Sequence, residues 1–113
     1  MNISHVHVGI ADLPAALLWL DQILEARPTF QNEQMASVAF GSLTIFFDRS
    51  ATDAPLTIGF DSHDCDADFH AITSRGGVAL EEPADRPWGV RAAYIRGPGA
   101  LKIEIEQVLP TPS

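Results

Sequence analysis

The chain has 113 residues, seven Lys and Arg against fifteen Asp and Glu, and a net charge of −8. A single domain of this size buries roughly two-thirds of its unfolded surface, and shares of 46% apolar and 19% charged residues are those of a globular chain rather than a disordered one. The acidity excludes a nucleic-acid partner, which needs a basic face; the single Cys65 excludes an intrachain disulfide; and no apolar run approaches the ~18 residues of a membrane span.

The opening Met-Asn-Ile-Ser-His carries neither a basic nor an apolar leader region, so a cytoplasmic location is expected. Ile3, Val6, Val8 and Ile10 are apolar in a segment that alternates like a strand, with His5, His7 and Gly9 on the opposite face. Asp12 reads as a helix N-cap with Pro14 in the first turn. Leu17, Leu18, Leu20, Ile23 and Leu24 then form a helical stripe. Residues 34–40 and 43–48 read as strands joined at Gly41-Ser42, and 50–55 as a linker.

The pattern then recurs. Residues 56–62 alternate as a strand, with Leu56, Ile58 and Phe60 on its apolar face. Asp64 or Asp66 caps a second helix, which Gly76-Gly77 ends. Short strands are expected near 78–81 and 89–96, and a last one at 100–108, where Lys102, Glu104 and Glu106 share a face. His5–Asp12 matches Thr57–Asp64 at an offset of 52 residues, and Phe40–Phe46 matches Pro98–Glu104 at an offset of 58. The chain therefore reads as an α+β fold of two βαβββ modules, about 1–50 and about 55–109. Each forms a half-barrel-like curved sheet, with a helix on one face and a concave cavity on the other.

This organisation resembles the vicinal oxygen chelate superfamily, which includes glyoxalase I, extradiol dioxygenases and bleomycin-resistance proteins. Two passages carry the likeness. One is His5-Val-His-Val-Gly-Ile-Ala-Asp-Leu-Pro-Ala-Ala. The other runs from Arg86-Pro-Trp-Gly-Val-Arg through Gly97-Pro-Gly to the last strand. The resemblance implies the fold and leaves the chemistry open, because the same fold serves several activities. Family enzymes hold a divalent metal with His, Glu or Gln on the first, fifth, eighth and often the fourth strands. Carried over, His5 and Glu104 match, but Thr57 and Phe46 fall at the other two positions. One reading is thus a metal-dependent glyoxalase-type lyase or thiol transferase in which His5, His7 and Glu104 hold a divalent ion such as Zn, Ni, Mn or Fe.

The other reading, which the missing ligands favour, follows the bleomycin-resistance branch. These are homodimers without a cofactor that sequester a cationic drug in grooves made by both subunits. On this reading the ligand is a cationic or aromatic small molecule. Trp88 would stack on it, and Glu104, with Glu106 and Asp61 nearby, would supply negative potential. His5 and His7 would line the cavity, with Phe46 and Tyr94 as its wall. Met35 stands where that branch has a second aromatic residue, with Phe30 close by, and Arg91 is expected to pair with Glu104 inside the cavity. Trp19 is expected to pack on the first helix, and His63 and His70 to lie on the surface. Nucleophilic catalysis is not indicated, since Cys65 is flanked by Asp64 and Asp66, which disfavour a thiolate.

Overall fold

The computed structural model describes residues 5–111. Ile3 of the expected first strand lies outside them. The elements run β1 (His5–Ile10), α1 (Leu13–Leu24), β2 (Phe30–Gln31), β3 (Met35–Phe40), β4 (Leu43–Arg49), β5 (Leu56–Asp61), α2 (Cys65–Ser74), β6 (Ala79–Arg86), β7 (Val90–Arg96) and β8 (Leu101–Val108). They form two unclosed four-stranded sheets, ordered β1-β4-β3-β2 and β5-β8-β7-β6. The two orders are the same topology written twice, so the α+β pair of βαβββ modules expected from the sequence is what forms. The chain divides into two compact units. One runs to Leu56 and takes in the turn Pro98–Ala100; the other comprises Thr57–Gly97 and the chain from Leu101 onward.

In the first unit β1 pairs in parallel with β4, placing Val6 beside Ile45, His7 beside Phe46 and Val8 beside Phe47. The antiparallel β3 continues the rows, with Val38 beside Ile45 and Ala36 beside Phe47. Alternation then sorts the side chains. Val8, Ile10, Ala36, Val38, Ile45 and Phe47 are buried on one face, together with Leu13, Ala16, Leu20 and Ile23 of α1. Those helix positions recur at the three- and four-residue spacing of a single stripe. Asp12 caps α1 by accepting the amide of Ala15 at 3.0 Å. The helix stops at Glu25, which takes a left-handed φ of 55° before Pro28. Residues 50–54 fold back onto the end of β1: Ser50 donates its amide to Ile10, Ala54 donates to Gly9, and Asp53 accepts the amide of Ala11.

In the second unit the core is Cys65 and Ile72 of α2 with Val90, Ala92, Ala93, Ile95, Leu101, Ile103 and Ile105 of the sheet. Asp64, one of the two capping residues anticipated, accepts the amide of Ala67. Cys65 is fully buried. Burial, and then Asp66, push its thiol pKa up, consistent with a packing role.

Two expectations need correction. β6 is eight residues long rather than four, because its pairing with β7 is interrupted by register shifts around Pro83 and resumes through Arg86. The two-residue β2 was not anticipated. A strand that short carries no periodicity, and only its pairing of Phe30 with Ser37 and Gln31 with Ala36 defines it.

Phe46 and Phe47 test the alternation directly. Phe47 is 1% exposed, whereas Phe46 is half-buried on the other face. Phe47→Ala is expected to lower stability by about 3–5 kcal/mol, in the range for a core aromatic, and Phe46→Ala by clearly less. Urea denaturation measures both, and equal losses would refute the assigned faces.

Candidate functional site

The helix of each module covers one face of its sheet, so polar and aromatic groups collect on the other. In the first module the register sets His5 beside Thr44, His7 beside Phe46 and Gly9 beside Asp48. It also sets Ser37 beside Phe46 and Met35 beside Asp48. The predicted residues His5, His7, Phe46 and Met35 are thus brought onto one face. The His7 ring lies on Phe46 with centroids 4.7 Å apart and planes 15° from parallel. His5 meets both rings edge-on, at 5.3 Å from His7 and 5.4 Å from Phe46. Asp48 completes the group, its Oδ2 lying 2.7 Å from His7 Nδ1. Sequence reasoning passed over Asp48, although it has the parity of Phe46 and is a carboxylate inside an otherwise apolar strand.

In the second module Tyr94 pairs with Glu104 and Ala92 with Glu106, and Gly59 of β5 lies against the Glu104 carboxylate. The Tyr94 hydroxyl donates to Glu104 Oε2 at 2.5 Å. That bond, ahead of burial, raises the Tyr94 pKa above its ordinary value. Lys102 sets its ammonium 4.3 Å from the Tyr94 ring centre, and Arg86 lies 5.6 Å from it. Glu104 and Glu106 point the same way from alternate positions of β8. Hydrogen bonding to Glu104, then burial, then the charges of Glu104 and Asp61 raise the Glu106 pKa above its ordinary value. Arg86 was also passed over. It reaches Glu81 at 3.6 Å and donates to the Ala92 carbonyl, while its Nε is buried without a partner.

Two predicted residues stand elsewhere. Arg91 does not pair with Glu104; it bridges Asp66 and Asp85, each at 3.0 Å. Those two contacts, Asp85 first, raise its pKa. The reason is parity: Tyr94 and Glu104 share a face, and Arg91, three residues before Tyr94, points to the other, toward α2. Trp88 is not part of β7. It occupies the turn between β6 and β7, where Gly89 adopts φ +87° and bonds back to Arg86, and it is 64% exposed. Trp19 is half-buried and lines a separate cavity of about 270 Å³ with Asp53 and Gly99. His63 and His70 are exposed, as expected.

A metal centre of the glyoxalase kind needs at least three converging donors. Among the described residues no three His, Cys, Asp or Glu side chains gather to hold an ion. Within each module the chemistry explains why. Phe46 stands where the fourth strand would present a ligand, Asp48 is engaged by His7, and Glu104 accepts from the Tyr94 hydroxyl. The residues present do not fit such a centre. A groove of about 810 Å³ runs between α1 and the β2–β3 connection. It contains none of the candidate residues, and two of its charged groups, Asp21 and Arg27, neutralise each other at 3.2 Å.

The paired carboxylates have a consequence for stability. A carboxyl whose pKa is raised on folding binds its proton more tightly in the native state. Its stabilising effect is therefore complete below the unfolded value and is lost as pH rises through the folded one. Thermal melts should show the wild type losing stability from pH 4.5 upward relative to Glu106→Gln, which has no such proton to lose. Parallel pH profiles for the two proteins would disprove the hydrogen-bonded pair.

No family profile and no curated protein matches the sequence. Solved structures do match. A glyoxalase/bleomycin resistance protein/dioxygenase from Nocardioides superposes with a TM-score of 0.87 at 16% identity, covering 100% of this chain and 87% of that one. A superfamily member from Sphaerobacter thermophilus gives 0.80 at 16% identity, covering 95% and 97%. A glyoxalase-related enzyme from Fulvimarina pelagi gives 0.79 at 14% identity, covering 95% and 88%. At such identities the likeness speaks for the fold alone, and the chain has the fold of the glyoxalase/bleomycin resistance/dioxygenase superfamily, the vicinal oxygen chelate fold.

Proposed function

We infer that the protein binds and sequesters a cationic aromatic small molecule, as a homodimer and without changing a bond in it. The observation that carries this reading is the carboxylate pair Glu104–Glu106 on the open face of the second module. Two like charges two residues apart cost folding energy at neutral pH, and Asp61 adds a third nearby. A bound cation would relieve that repulsion. Each module offers an aromatic surface of its own, Phe46 and His7 on the first and the exposed Trp88 on the second. A tryptophan 64% exposed on a hairpin turn gains by being covered, by a flat ligand or a second subunit. The donor chemistry above weighs against a metal-dependent lyase. The overall charge of −8 adds long-range attraction for a cation.

Titration with proflavine and with bleomycin, followed by tryptophan fluorescence, tests the reading. Binding is expected to quench Trp88, so Trp88→Phe, which keeps only Trp19, should lose most of the signal. Affinity should fall as salt rises. Glu104→Gln keeps the acceptor for Tyr94 but loses the charge, and should weaken binding by about tenfold or more, as for a lost charged hydrogen bond. Mass spectrometry should recover each compound unchanged, and sedimentation should show a dimer. No binding by either compound, or chemical conversion of one, would defeat the proposal.

A further inference from the structure

The face that carries Phe46 holds more than a flat surface. His7 Nδ1 lies 2.7 Å from Asp48 Oδ2. An ionised carboxylate only accepts hydrogen bonds, so the ring proton sits on Nδ1. In the neutral imidazole the lone pair is then left on Nε2, on the side of the ring away from Asp48. The ring cannot easily turn to exchange the two nitrogens. Phe46 stacks beneath it at 4.7 Å and 15°, and His5 abuts its edge at 5.3 Å and 79°. The pair is also open: the side chains of His7 and Asp48 are 50% and 39% exposed. Asp48 thus acts as a positioning residue, and His7 presents a fixed hydrogen-bond acceptor beside an aromatic plane.

We propose that the His7–Asp48 pair selects, among planar aromatic cations, those that carry an N–H donor at the ring edge, such as amino-substituted heteroaromatics. The proposal rests on the sequestering reading above and names the ligand class within it. A planar ligand lying in the plane of the His7 ring, on the side away from Asp48, meets Nε2 with its rim rather than its face. An amino group there donates to Nε2, whereas a dialkylamino group has no proton to give and leaves the acceptor unsatisfied. A site built to receive a donor discriminates against the analogue that lacks one, since the polar group is then left without its partner.

Two dyes of the same ring system and charge separate the cases. Proflavine carries two free amino groups, and acridine orange carries the same groups fully methylated. Their affinities are measured by fluorescence at about pH 8.5, two units above the ordinary imidazole value, and their ratio is compared between proteins, which removes the effect of dye size. The wild type is expected to favour proflavine over acridine orange by about tenfold more than His7→Phe, which keeps a flat ring and loses the acceptor. Asp48→Asn should also lose the preference, because its amide can donate to Nδ1 and move the ring proton to Nε2. Nitrogen NMR of the imidazole reports that tautomer directly: Nε2 unprotonated in the wild type, Nδ1 unprotonated in Asp48→Asn. An equal ratio in wild type and His7→Phe, or a wild-type ring protonated on Nε2, overturns the proposal while leaving sequestration standing. Failure of the wild type to bind either dye overturns this proposal, and it overturns sequestration as well if bleomycin also fails to bind.

Discussion

A sheet with one helix can bury only one of its faces, and each module has one helix. That constraint organises everything else. Side chains alternate along a strand, so a residue's parity decides whether it joins the core or the open face. Val8 and His7 are neighbours in the chain and share nothing in their surroundings. Phe47 is core and Phe46 is not, and Ile103 and Ile105 are core where Glu104 and Glu106 are not. The chemistry of the molecule therefore lies where the helices leave the sheets uncovered.

The two modules repeat a backbone and not a site. His7, Phe46 and Asp48 in the first occupy the places of Gly59, Glu104 and Glu106 in the second. One face is built of imidazole and phenyl rings held by a single carboxylate. The other is built of carboxylates around a phenol, with Lys102 against its ring. The shared topology fixes where side chains emerge, while the substitutions decide the chemistry each face presents. The fold's superfamily likewise carries several chemistries on one scaffold.

Electrostatics give the second face its character. Glu106 faces Glu104 and Asp61 rather than a cation of its own. Arg91, which could have neutralised the pair, is turned to the other side of the sheet and spent on Asp66 and Asp85. The acidic face of the second module is therefore left without that arginine as a counter-charge.

Much of the fold was legible in the chain itself. The alternation around His5–Ile10 and Leu101–Val108, the aspartate caps before both helices, and the offsets of 52 and 58 residues are local or periodic signals that one sequence carries. From them followed the two βαβββ modules and the placing of His5, His7 and Glu104 off the core. Other features depended on which segments meet. Phe30–Gln31 is a strand only because β3 lies beside it. Asp48 joins His7 only because β1 and β4 pair in parallel in that register. Arg91 was assigned to Glu104 by charge, and its parity in the folded β7 sends it to α2 instead. Trp88 is the tip of a turn only because β6 extends to Arg86 in its pairing with β7. Periodicity determines which side a residue takes within its own strand, because that is set by the backbone's pleat. Its partner is set by strand pairing between distant segments, and only the tertiary structure decided that.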